Sequence, residues 1–197
     1  MKNLPKLLLR LISSKKGMNP IRRYETLDVF EAIRTRKSIR KYKSEPIPAE
    51  KLEMIFEAAR LAPSAGNHQP WRFVAVQNAN RKRTLATVAN NQTFLADAAA
   101  IVAAIGDPEM SKRWYDKDVM IAVEHMVLAA VTLGYGTCWI GAFDEEEVKS
   151  LLKIPKGMHV IALLSIGIPD TAPPPRSRKE LSEIFFKEEY GNPLNKR

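Results

Sequence analysis

Arg36, Lys37, Ser38 and Arg40 put three cations and a hydroxyl within five residues. Guanidinium forks and a hydroxyl together suit a phosphate group. If this segment is extended, Arg36, Ser38 and Arg40 project to one side. A second pair of guanidinium groups flanks a hydroxyl at Arg176, Ser177 and Arg178, close to the end of the chain. Cations at a helix start oppose the helix dipole, so this cluster calls for another reason to exist. A third segment, from Pro63 to Trp71, is rich in small and amide residues: Ser64, Ala65, Gly66, Asn67 and Gln69. Amides both donate and accept, as a planar heterocycle with carbonyls and ring nitrogens requires. Each segment also has a plain alternative. The two basic clusters read equally as solvated charge, and the third as a turn leading into a core tryptophan.

Other chemistries find little support. Gly134 and Gly136 are followed by Thr137, Cys138 and Trp139, so no dinucleotide-binding glycine fingerprint is present, and no phosphate-binding P-loop occurs. His68, His125 and His159 are widely separated and lack metal-ligand spacing with Cys138. Cys138, the single cysteine, sits in the apolar stretch 135–140, where a buried, inert thiol is the usual outcome.

The elements that must position these groups follow from periodicity. Helices are expected over 27–36, 49–61, 80–89 and 115–133, the last closed by Gly134 in a left-handed cap. A further helix runs to Leu152 from a capping-box-like start at Asp144 and Glu147, and a last one covers 179–186. Strands are expected over 71–77, 98–105 and 159–167. Helices and strands interleave without clean βαβ units, which points to an α+β layered fold. The helix at 119–133 is apolar almost all round and so must be covered on most of its circumference, which suggests a second subunit.

Composition narrows the class further. The chain has 197 residues, 45% of them hydrophobic, enough for one domain with a real core. Residues 1–26 hold seven cations against Glu25, a net +6 out of the total +9. They read as an appended basic arm, leaving residues 27–197 as a nearly balanced domain. That distribution argues against a nucleic-acid groove across the body. No apolar run is long enough to span a bilayer, and the segment 7–12 lacks the features of a secretory signal. With one cysteine, a cytoplasmic protein is expected.

Four segments together make a specific pattern: RTRKSIRKY at 34–42, APSAGNHQPWRF at 62–73, LGYGTCWIGAFDEEEV at 133–148 and PRSRKEL at 175–181. In content, order and spacing this resembles the nitroreductase family over residues 27–186. The resemblance implies an α+β, three-layer fold. Its central sheet is mixed but mostly antiparallel, flanked by helices, in an intertwined homodimer with FMN at the subunit interface.

The resemblance also implies roles. Arg36, Lys37, Ser38 and Arg40 match the family's basic-Ser-x-basic motif. There the first Arg and the Ser hold the phosphate and ribityl chain, and the last basic residue lies by the pyrimidine edge of the flavin. Pro63, Ser64, Ala65 and Asn67, with Gln69 on the same loop, reach the flavin bound mainly by the other subunit. Asn91, with Gln92 as the alternative, supplies an amide. The backbone of Ile140 and Gly141 lies near flavin N5, and Arg176 and Arg178 complete the phosphate site.

The implied activity is electron transfer from NADH or NADPH through flavin N5 to a small oxidised acceptor such as a nitroaromatic or a quinone, by a ping-pong cycle. No catalytic side chain is required, because the chemistry is the cofactor's own. Alternatives are a non-catalytic flavin-binding protein and a dehalogenase-like branch, whose substrate-gripping Glu-Tyr-Lys set finds no match here. The chain is short between Ala104 and Val119, so 110–118, with Trp114 and Tyr115, is the local cover expected over the site.

Overall fold

In a computed structural model, residues 28–194 are described. The basic arm at residues 1–26 lies outside them. Six helices and five strands follow one another: α1 (Val29–Thr35), β1 (Tyr42–Lys43), α2 (Ala49–Arg60), β2 (Trp71–Val76), α3 (Ala79–Val88), β3 (Ala100–Gly106), α4 (Tyr115–Thr132), β4 (Gly136–Ile140), α5 (Glu145–Leu152), β5 (His159–Pro169) and α6 (Leu181–Ile184).

The sheet is organised around β5. It pairs antiparallel with β3, β4 and β1, and β3 carries β2 on its other side. All the strand pairs are antiparallel, and the parallel component is an isolated bridge between Ser38 and Thr137. Every residue of β3 is buried, so the strand shows no polar alternation. Its side chains alternate between two cores instead. Ala100, Val102 and Ala104 join Leu164 and Ile166 under α2 and α4, meeting Leu52, Ile55, Val119, Val123 and Met126. Ile101, Ala103 and Ile105 join Leu163 under α3 and α5, meeting Leu85, Val148 and Leu152. A sheet with a separate core on each face is a three-layer α+β structure.

Local chemistry sets the helix ends. The Asp144 side chain accepts from Glu147 N–H at 2.9 Å and starts α5 as its N-cap. Helix α4 ends in a Schellman closure: Gly134 has φ +83°, its N–H reaches Val131 O, and Tyr135 N–H reaches Ala130 O. The expected final helix, 179–186, contracts to the four residues of α6. Residues 170–185 are all exposed, so no core face stabilises a longer helix there.

Helix α4 packs one face on the sheet, while Met120 and Ile121 on its other side stay exposed. Val29, Phe30 and Ile33 of the neighbouring α1 are exposed as well, Phe30 by 73%. No helix among the described residues is long and apolar enough to cross a membrane.

Candidate functional site

The first two basic clusters, 136 or more residues apart in sequence, meet at one cleft. Its volume is about 790 Å³, and it is lined by Ile33–Ser38, Arg40, Pro173–Pro175, Arg176 and Arg178. Cations make up half of the lining and no acidic side chain belongs to it, so the cleft suits an anion. Lys37, Arg40, Arg176 and Arg178 form no ion pair among the described residues, leaving their charge available. Arg34 is engaged by Glu31 at 2.9 Å.

The segment 36–40 is extended because β4 holds it. Ser38 bridges Thr137, and Ile39 N–H donates to Thr137 O at 2.8 Å. Ile39 then buries itself with Tyr42 and Ala98. Gly136 permits that approach, since a Cβ there would lie 2.5 Å from Ile39 Cγ1 and 2.9 Å from Pro169 Cγ. From Thr137, strand β4 runs about 10 Å, at roughly 3.3 Å per residue, to Ile140, and Gly141 follows. Ile140 is buried, while Gly141 is exposed and would meet nothing with an added Cβ. The strand thus ends in accessible backbone. Behind it, burial pushes both the Cys138 thiol and the Tyr42 phenol up from their usual pKa ranges. Cys138 is 2% exposed and Tyr42 bonds Ser165 at 2.8 Å, so both belong to the support and carry no accessible reactivity.

The loop from Pro63 to Gln69 does not line this cleft within one chain. It forms a single 3-10 turn at Ala65–Asn67 and is held at two points. Ser64 Oγ accepts from Gln69 N–H at 2.9 Å. Both carboxylate oxygens of Asp118, a residue of α4 only 3% exposed, accept from Ala65 N–H at 3.1 and 3.2 Å. Gly66, Asn67 and Gln69 all have positive φ, near +55°. For Asn and Gln such a backbone is strained, and strain of this kind persists where the surroundings impose it. A second strained pair, Asn90 and Asn91, follows α3. Next to it, Gln92 Nε2 donates to Ala142 O at 3.3 Å, which commits that amide and leaves the Asn91 side chain free among the described residues. Four of the six described non-glycine residues with positive φ therefore sit on two segments singled out above for flavin contact.

Sequence reasoning missed three contributors. Strand β4 is not among the strands expected from periodicity, although the resemblance places its Ile140, with Gly141, by the flavin, and Asp118 falls only within the expected local cover. Glu124, inside an apolar helix, gave no signal. In the structure it faces Arg36 Nε at 3.9 Å and accepts from Trp139 Nε1–H at 3.3 Å.

The chain belongs to the nitroreductase family, whose sequence model matches residues 33–93 and 85–168. A relative in Archaeoglobus fulgidus is 37% identical over 149 residues, spanning 72% of this chain and 86% of its own. Among solved structures, a nitroreductase family protein from Clostridium novyi is 33% identical with a TM-score of 0.69, over 85% of this chain and 97% of its own. The NADPH:FMN oxidoreductase of Vibrio harveyi, solved in complex with NAD+, is 25% identical with a TM-score of 0.78, over 86% of this chain and 80% of its own.

Proposed function

We propose that this chain binds FMN and acts as an NAD(P)H-dependent oxidoreductase of the nitroreductase type. The observation that carries this reading is the convergence of 36–40 and 173–178 on one cationic cleft, pinned to the strand that ends at Ile140, just before Gly141. The donor set fits the cofactor: forked guanidinium groups and a hydroxyl for the phosphate, accessible backbone and amides for the ring.

Arg36, Ser38, Arg176 and Arg178 hold the phosphate, with Lys37 beside them. Arg40 supplies fixed positive charge at the pyrimidine edge, where negative charge gathers on reduction. The backbone at Ile140 and Gly141 faces the ring, and Asn91 contributes its free amide. Pro63, Ser64, Ala65, Asn67 and Gln69 approach the ring from a partner subunit. The exposed apolar residues of α1 and α4 favour that partner being a second copy of this chain, since apolar patches of this kind mark interaction sites. The chemistry supplied by bound FMN is two-electron transfer from NAD(P)H to a small oxidised acceptor, a nitroaromatic or a quinone, with donor and acceptor using the site in turn. The single cysteine fits action in the reducing cytoplasm.

The test is the visible spectrum of purified protein, followed anaerobically by NADH and then NADPH. Flavin bands that bleach on addition support the reading. Colourless protein that takes up no added FMN overturns it. Sedimentation should give about 44 kDa, twice 22.2 kDa. A monomer with full flavin content would refute the shared site.

A further inference from the structure

From Val119 to its end, α4 carries one carboxylate, Glu124, in a mostly apolar run that also holds His125 and Thr132. Its side chain is 43% exposed, so its place is set by its partners rather than by burial. One oxygen accepts a hydrogen bond and the other lies at ion-pair distance from a cation. Trp139 Nε1–H donates to Oε2 at 3.3 Å, and Arg36 Nε lies 3.9 Å from Oε1. These partners come from the two ends of the candidate site. Arg36 lines the cationic cleft, and Trp139 precedes the Ile140–Gly141 backbone.

The choice of nitrogen matters. A guanidinium has five donors in a fixed fork, and Nε carries only one of them. A carboxylate facing Nε leaves the forked terminal pair for an anion in the cleft that Arg36 lines. The carboxylate is itself tethered by the indole, on a strand anchored in the sheet. Arg36, 31% exposed in its side chain, would otherwise sample many rotamers and lose that freedom on binding.

We infer that Glu124 is a positioning residue, which fixes Arg36 so that its terminal nitrogens meet the FMN phosphate, with Trp139 fixing Glu124 in turn. The inference rests on the FMN reading of the cleft. It also runs against simple charge: a carboxylate near a phosphate repels it, so electrostatics alone predicts tighter FMN binding once Glu124 is neutralised. The sign of the effect therefore decides between the two.

The experiment measures FMN and riboflavin affinity of flavin-stripped protein by fluorescence quenching, for wild type, Glu124→Gln, Arg36→Ala and the double variant. Riboflavin lacks the phosphate and reports any general damage to the ring site. Glu124→Gln should weaken FMN about tenfold, the loss of one charge-assisted contact, while riboflavin affinity stays within about twofold. In the Arg36→Ala background the same substitution should change nothing further. FMN binding that is unchanged or tighter in Glu124→Gln, or equal weakening of both flavins, overturns the inference. Trp139→Phe keeps an aromatic ring, though a smaller one, and removes the N–H, so it should weaken FMN in the same direction by less. It serves as the deciding variant if Glu124→Gln fails to fold. Wild-type protein that does not prefer FMN over riboflavin sinks the phosphate reading itself. A wild-type preference that survives Glu124→Gln intact sinks only the role of Glu124.

Discussion

The cationic cleft and the 63–69 loop solve the problem of ligand contact in opposite ways. The cleft concentrates charge on side chains and needs distant segments to meet, which the Ser38–Thr137 bridge and the turn after β5 bring about. The loop carries no cation between Pro63 and Gln69 and depends on backbone shape, with three residues at positive φ and one N–H held by a buried carboxylate. In the proposed function, affinity for a phosphorylated ligand belongs to the first region, and orientation of a planar ring to the second. Helix α4 serves both, through Glu124 towards the cleft and Asp118 towards the loop.

The largest expected effect comes from stripping the cleft. Arg36→Ala combined with Ser38→Ala should raise the FMN dissociation constant on the order of a hundredfold, from the loss of two contacts to a charged group. Fluorescence titration checks this, and unchanged flavin content would remove the phosphate assignment. Asp118→Ala should act in the opposite pattern. Turnover with NAD(P)H should fall about tenfold, because misplaced contacts cost rate. The ratio of FMN to riboflavin affinity should hold, and a collapse of that ratio would erase the distinction between the two regions.

Gly136→Ala tests the support behind the cleft. Its Cβ would press into Ile39 and Pro169. Overpacking of this kind costs about 1–3 kcal/mol, so the melting temperature and FMN affinity should both drop. A variant that melts like wild type would mean that the 36–40 segment is not held tightly by β4. The smallest effect concerns Cys138. Its raised pKa keeps the thiol protonated at neutral pH, so alkylation by iodoacetamide should be slow at pH 7. The rate should climb only above the usual thiol range, because the thiolate is the reactive form. Fast labelling at pH 7 would reveal local opening of β4 and weaken the contrast between a rigid cleft wall and a strained loop.

Periodicity was enough for most of the scaffold. Helices α1 to α5 and strands β2, β3 and β5 lie within two residues of their expected bounds, because each buries an amphipathic face or a continuous apolar run. Strand β1, two residues long, falls below any pattern. Strand β4 was hidden because its burial comes from pairing with β5 and from contact with Ile39, neither of which shows in the five residues themselves. The clusters at 36–40, 63–69 and 176–178 were visible as residue types, and the two basic ones share a phosphate chemistry, yet only the family resemblance joined all three. No spacing rule connects Arg40 to Arg176. Glu124 escaped because a carboxylate in an apolar helix shows its purpose only once Arg36 and Trp139 are seen beside it.

Strand β5 also constrains how the protein is made. It is the partner of β3, β4 and β1, so three of the four strand pairings wait for residues 159–169. During synthesis, β2 and β3 can pair early, but β3 stays without its second neighbour until most of the chain has left the ribosome. Pairings this distant in sequence form slowly. Nascent chains ending before His159 should therefore expose apolar strand edges and engage chaperones, while chains extended past Pro169 should close the sheet in one late step.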